Sequence, residues 1–179
     1  MLTPMPYYYG SNVYYVGDMV YVDGVPYVSA STYYSQAAEI VERGAPIHII
    51  VDVEVPGTAT VSTIQSIDEW LPMGTFAVLE DTESVDASII VQLATNKSGH
   101  IAGNIIDMRT DEALPIYGAV DPETQRVAMR IEGRNEIIEC GLWNLTQDAL
   151  TVLIHIDENT TEERVFIRLS DPDQGELAP

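Results

Sequence analysis

A chain of 179 residues with 46% hydrophobic and 20% charged side chains suits one domain with a sizeable core, and it is too apolar to be a disordered tail. Its 28 Asp and Glu against 8 Lys and Arg give a formal net charge of -20, which repels phosphate backbones and anionic lipid and argues against both as partners. The same surplus suits surroundings rich in salt or divalent cations, where self-repulsion is screened.

Nine of the ten tyrosines fall within residues 1–34. Met1 to Asn12, with Pro4, Pro6 and Gly10, reads as an extended lead-in. It has no basic n-region and no apolar h-region, so no signal peptide is expected, and export requires a leader outside this sequence. Nowhere is an apolar run long enough to span a bilayer. Val13 to Val28 reads as two or three short strands, with Asp23-Gly24 supplying the left-handed conformations of a tight hairpin. Pro26 marks the last of them as an edge. Ser31-Thr32 then offers an N-cap for a helix over Tyr33 to Arg43 that stops at Gly44. Tyr33/Tyr34, Ala37/Ala38 and Ile40/Val41 form one apolar stripe that must lie on something, because so short a helix is unstable alone. The tyrosines pack the hairpin against this helix or form a carbohydrate-stacking surface.

Pro46 to Val55 and Thr58 to Ile67 read as strands, His48 being a structural histidine among isoleucines. Asp68 to Pro72 breaks the pattern. Strand signals then recur over Gly74–Glu80, Ser88–Ala94, His100–Met108, Leu114–Val120, Gln125–Glu132, Asn135–Leu142, Leu150–Ile156 and Arg164–Leu169. The loops between them are too short for crossovers, so neighbours are antiparallel. Eight strands close a small barrel, and an up-and-down, calycin-like barrel is the fold expected, with an N-terminal hairpin and one helix. The boundaries are 1–45 for the Tyr-rich element and 46–179 for the barrel. Alternation puts Val127, Met129 and Ile131, Val152, Ile154 and Ile156, and Val165, Ile167 and Leu169 inside, giving an aliphatic interior. Gly103 and Gly118 fall within strands, where a missing side chain permits a bend or close packing.

An interior of this kind looks filled. A calyx for a small apolar ligand is the alternative, and Phe76, Tyr117 and Trp143 near strand ends are its candidate lining. Acidic clusters occur in the turns, but none has the spacing of a calcium loop, and no metal or other cofactor is expected. Arg126, Arg130, Arg164 and Arg168 are expected to share an outward face in pairs, where they form an anion site for a sugar acid or, more simply, neutralise neighbouring carboxylates. The only cysteine, Cys140, lies in an apolar strand pattern and reads as a small buried hydrophobe rather than a nucleophile. There is no nucleophile-elbow, zincin or P-loop motif, and nothing singles out a carboxylate pair for glycoside hydrolysis.

The segments Val13 to Gly24, the Tyr-rich helix, Trp70 to Val78, Leu93 to Gly99 and Gly118 to Ala128 resemble a group of uncharacterised planctomycete-type bacterial proteins, labelled cell-surface proteins of a mu-protocadherin-like kind. The resemblance implies export to the envelope or beyond and assigns no site residues. A fold-level likeness to avidin and lipocalin barrels rests on strand count and the Gly99-x-x-x-Gly103 hairpin. The function expected is therefore non-enzymatic: an exported envelope or surface interaction module whose partner is a protein or carbohydrate.

Overall fold

The computed structural model describes residues 12–45, 70–80 and 88–169. The strands read over Pro46 to Val55 and Thr58 to Ile67, and His48 with them, lie outside the described residues. The chain opens on a three-stranded antiparallel sheet of β1 (Val13–Val16), β2 (Met19–Val22) and β3 (Val25–Ser29). Asp23 and Gly24 link β2 to β3 with φ of 54° and 79°, the pair of positive values a two-residue hairpin requires. Helix α1 (Ala30–Arg43) follows at once. Its N-cap is Ser29, whose hydroxyl accepts from the Thr32 amide, so the helix starts earlier than the Ser31-Thr32 reading placed it. Ser29, Ser31 and Thr32 offer equivalent caps, and the end of β3 selects the first.

Eight strands then close a barrel: β4 (Trp70–Leu79), β5 (Ile89–Asn96), β6 (His100–Asp107), β7 (Glu112–Val120), β8 (Arg126–Ile131), β9 (Ile137–Gly141), β10 (Ala149–Asp157) and β11 (Thr160–Arg168). Neighbours are antiparallel, β11 pairs with β4, and β9 pairs with β10 to complete the ring. Two boundaries depart from the sequence reading. β4 extends back to Trp70 through a register shift at Pro72, where the ladder tolerates a missing donor. β11 starts at Thr160, because Thr160 to Glu163 are exposed and carry no apolar signal although their backbone pairs with β10.

The barrel interior holds Phe76, Val91, Leu93, Ile101, Ile116, Val127, Met129, Ile131, Ile138, Cys140, Leu150, Val152 and Phe166 in one buried cluster, with Leu145 from a short 3-10 turn at one end. The inward faces read for β8 and β10 hold, except that Ile156 stands exposed at the end of β10. On β11 the face is the opposite of the one expected. Phe166, rather than Val165 and Ile167, enters the core, and its ring lies 5.9 Å from that of Phe76. Both faces of that strand carry apolar groups, so alternation is ambiguous there, and the larger ring takes the interior. Arg168 follows Phe166 onto this face, and its guanidinium donates to the Met73 and Leu145 carbonyls above the Phe76 ring. Arg164, opposite the inward Val152, shares this side of β11, so the outward face expected for the strand arginines holds for Arg126 and Arg130 and fails for Arg164 and Arg168.

The outer surface of β7 to β10 is also apolar, which is why α1 and the small sheet are there. Ala37, Ile40 and Val41 pack on Ala119, Ala128 and Ile137, while Val13, Val20 and Tyr33 pack with Leu153. Gly44 lets the helix end touch β7: a Cβ at that position would sit 1.6 Å from the Gly118 carbonyl oxygen.

Candidate functional site

β9 is buried on both faces, yet its central outward residue is Glu139. Glu139 stands opposite Ala128 on β8 and Leu153 on β10, so Arg126 and His155 occupy the diagonal positions on either side. Cross-strand diagonals are within reach of long side chains, and three polar groups meet here beneath the N-terminal element. Arg126 Nε donates to Glu139 at 2.6 Å and its Nη2 at 3.2 Å. The same guanidinium donates to the Gln36 side chain at 2.6 Å and to the Tyr33 carbonyl at 3.0 Å, and lies 3.7 Å from the centre of the Tyr33 ring. His155 Nε2 contacts Glu139 at 2.8 Å, and its Nδ1 is 3.1 Å from the Thr161 hydroxyl. The Tyr33 and Tyr34 rings meet the imidazole edge-on.

Glu139 is fully buried and Arg126 is 2% exposed. Burial by itself raises the Glu139 carboxyl, but the charge of Arg126, with hydrogen bonds from His155 and Arg126, outweighs it and holds the group below its ordinary value. Burial likewise works to lower the Arg126 guanidinium, and the Glu139 charge prevails in raising it. Burial and then the Glu139 charge push the Tyr33 phenol well up. The carboxylate is ionised, so the proton of the His155 contact sits on Nε2. The other ring nitrogen, Nδ1, meets the Thr161 hydroxyl, so the imidazole links Glu139 to Thr161.

Thr161 is where this buried chain of hydrogen bonds reaches the surface. It lines a cleft of about 530 Å³ between the small sheet, the start of α1 and the β10–β11 hairpin. Half-buried Tyr15, over the buried Leu153, gives the cleft its apolar side, while Asp18, Glu158 and Glu163 are its acidic residues.

Phe76, Tyr117 and Trp143 are not brought together. Phe76 is buried inside the barrel, Tyr117 packs outside it against α1, and Trp143 is 44% exposed beside the 3-10 turn. Cys140 is buried inside the barrel, where burial and then the Glu139 charge raise its thiol. Among the described residues no group of three or more His, Cys, Asp or Glu is placed to hold a metal ion, and no helix is long and apolar enough to cross a membrane.

Sequence reasoning weighed Arg126 only as a surface charge and passed over Glu139, His155 and Thr161. A signal was present: the outward residues of β8 to β10 include Ala128, Ile137 and Leu153, so that face is covered, and any charge on it needs a buried partner. No family model, no curated protein and no solved structure matches this chain.

Proposed function

We propose that the chain is a non-enzymatic, exported bacterial protein acting as an interaction module at the cell envelope or surface, with its N-terminal sheet as the contact face. One observation carries this reading. Among the described residues, half of the exposed large apolar side chains are concentrated in this small sheet: Tyr14 at 40%, Val16 at 54%, Met19 at 37%, Val25 at 63% and Tyr27 at 45%. Tyr14 and Tyr21 form a cross-strand pair with rings 5.6 Å apart and 10° from parallel. Exposed apolar side chains gathered on one small element are characteristic of contact surfaces. The acidic surplus supports a setting in which charge is screened, and the resemblance to bacterial cell-surface proteins supports export. The barrel interior is occupied by the chain's own side chains, which favours binding outside over a calycin-like site inside.

The test is cosedimentation of purified protein with cell-envelope material from its own host. Wild type binds, and Tyr14→Ser/Tyr21→Ser loses most of that binding while keeping its unfolding midpoint. Equal binding by the two proteins refutes the reading.

A further inference from the structure

The cleft beside the small sheet has chemistry of its own. Its rim combines Ser31 and Thr161, Asn159 and the acidic residues Asp18, Glu158 and Glu163, and among the described residues no lysine or arginine lines it. Such a set donates to and accepts from hydroxyl groups and repels anions. Half-buried Tyr15 offers the apolar face on which the C–H face of a sugar ring rests. The volume of about 530 Å³ falls in the range of small-molecule sites, roughly 300 to 1,000 Å³.

Thr161 makes the cleft more than a gap between elements. Its hydroxyl lies 3.1 Å from His155 Nδ1, and the imidazole is held in turn by Glu139, which Arg126 holds from the other side. That contact fixes the position of the Thr161 oxygen at the cleft before any ligand arrives, and fixing a group in advance lowers the entropy lost on binding. Asn159, two residues before Thr161 in the hairpin turn, donates its backbone N–H to the Asp157 carboxylate and also lines the cleft.

We infer that this cleft binds a neutral sugar of one or two rings, with Thr161 and Asn159 as the residues that recognise its hydroxyls. The inference rests on the reading of the chain as an interaction module and names its ligand class, but it concerns a site apart from the Tyr14/Tyr21 shelf. Saturation-transfer NMR and calorimetric titration with glucose, N-acetylglucosamine, cellobiose and glucuronate test it. At least one neutral sugar binds and glucuronate does not. Asn159→Ala and Thr161→Val each weaken binding by about tenfold, as expected for one lost hydrogen bond to a ligand, and Thr161→Ser restores it. Absence of saturation transfer to every neutral sugar, equal binding of glucuronate, or binding unchanged in Asn159→Ala overturns the inference. Asn159→Ala decides the matter alone if Thr161→Val does not fold. Envelope binding that persists in the absence of sugar binding removes the cleft and leaves the shelf standing.

Discussion

Replacing Arg126 with methionine tests the buried network most severely. The substitution keeps most of the aliphatic bulk but removes the guanidinium that donates to Glu139, Gln36 and the Tyr33 carbonyl. Glu139 is fully buried, so the variant leaves a carboxylate in an apolar site with His155 as its main partner. Removing one member of a buried ion pair costs about 3–5 kcal/mol, which in a chain of this size lowers Tm by about 6–20 °C. Thermal and urea unfolding followed by circular dichroism measure the loss. The double variant Arg126→Met/Glu139→Leu regains most of it, because no charge is then left buried and unpaired. Acid supplies a second signature. In the wild type the Glu139 carboxyl is held below its ordinary 4.5, so its contribution is complete above that pH and is lost as pH falls through the folded value. In Arg126→Met the lowering charge is gone and burial raises the group, so acid relieves the variant. The gap between the two proteins is therefore widest near neutrality. It starts to narrow above pH 4.5 as the raised carboxyl of the variant protonates, and narrows further below it as the wild type loses its contribution. A loss under about 1 kcal/mol, the scale of an exposed pair, or a gap that ignores pH would refute the network as the clamp between the barrel and the N-terminal element.

Three other outcomes are expected. Gly44→Ala forces a methyl to within 1.6 Å of the Gly118 carbonyl oxygen, so it lifts the end of α1 from β7; hydrogen exchange over residues 37–43 speeds up, and stability drops by about 1–3 kcal/mol. Cys140, buried with its thiol raised, resists thiol reagents in the native state and reacts at the rate of unfolding, as a denaturant series followed by mass spectrometry shows. Tyr14→Ser/Tyr21→Ser changes stability by less than about 1 kcal/mol, the worth of a cross-strand aromatic pair, in urea titrations that match wild type.

The barrel was readable because its strands carry a period of two and its turns are short enough to exclude crossovers. Val127, Met129 and Ile131 on β8 announce their inward face without help from any other strand. β11 did not, because Val165 and Ile167 alternate with Phe166 and both sets are apolar; the interior selects the ring only once β4 and β10 are in register beside it. The early start of β11 was hidden for a related reason. Its first residues are polar and exposed, and they are strand only through pairing with β10. The candidate site was less legible still. Arg126, Glu139 and His155 are separated by 13 and 16 residues, and their meeting depends on the register of three strands, which no local pattern encodes. Their burial depends further on α1, a segment about 90 residues from Arg126. What the sequence did carry was the need for a cover: apolar residues on the outward face of β8 to β10, and a helix whose stripe required a surface.

The most direct test of where this protein makes its contacts is hydrogen exchange by mass spectrometry, with and without saturating envelope material. Binding through the N-terminal element slows exchange over residues 13–29 and leaves the inward-packed strands unchanged. Protection confined to the barrel end around residues 73–76 and 142–147, with none over residues 13–29, would place the partner at the mouth of the barrel and contradict the account.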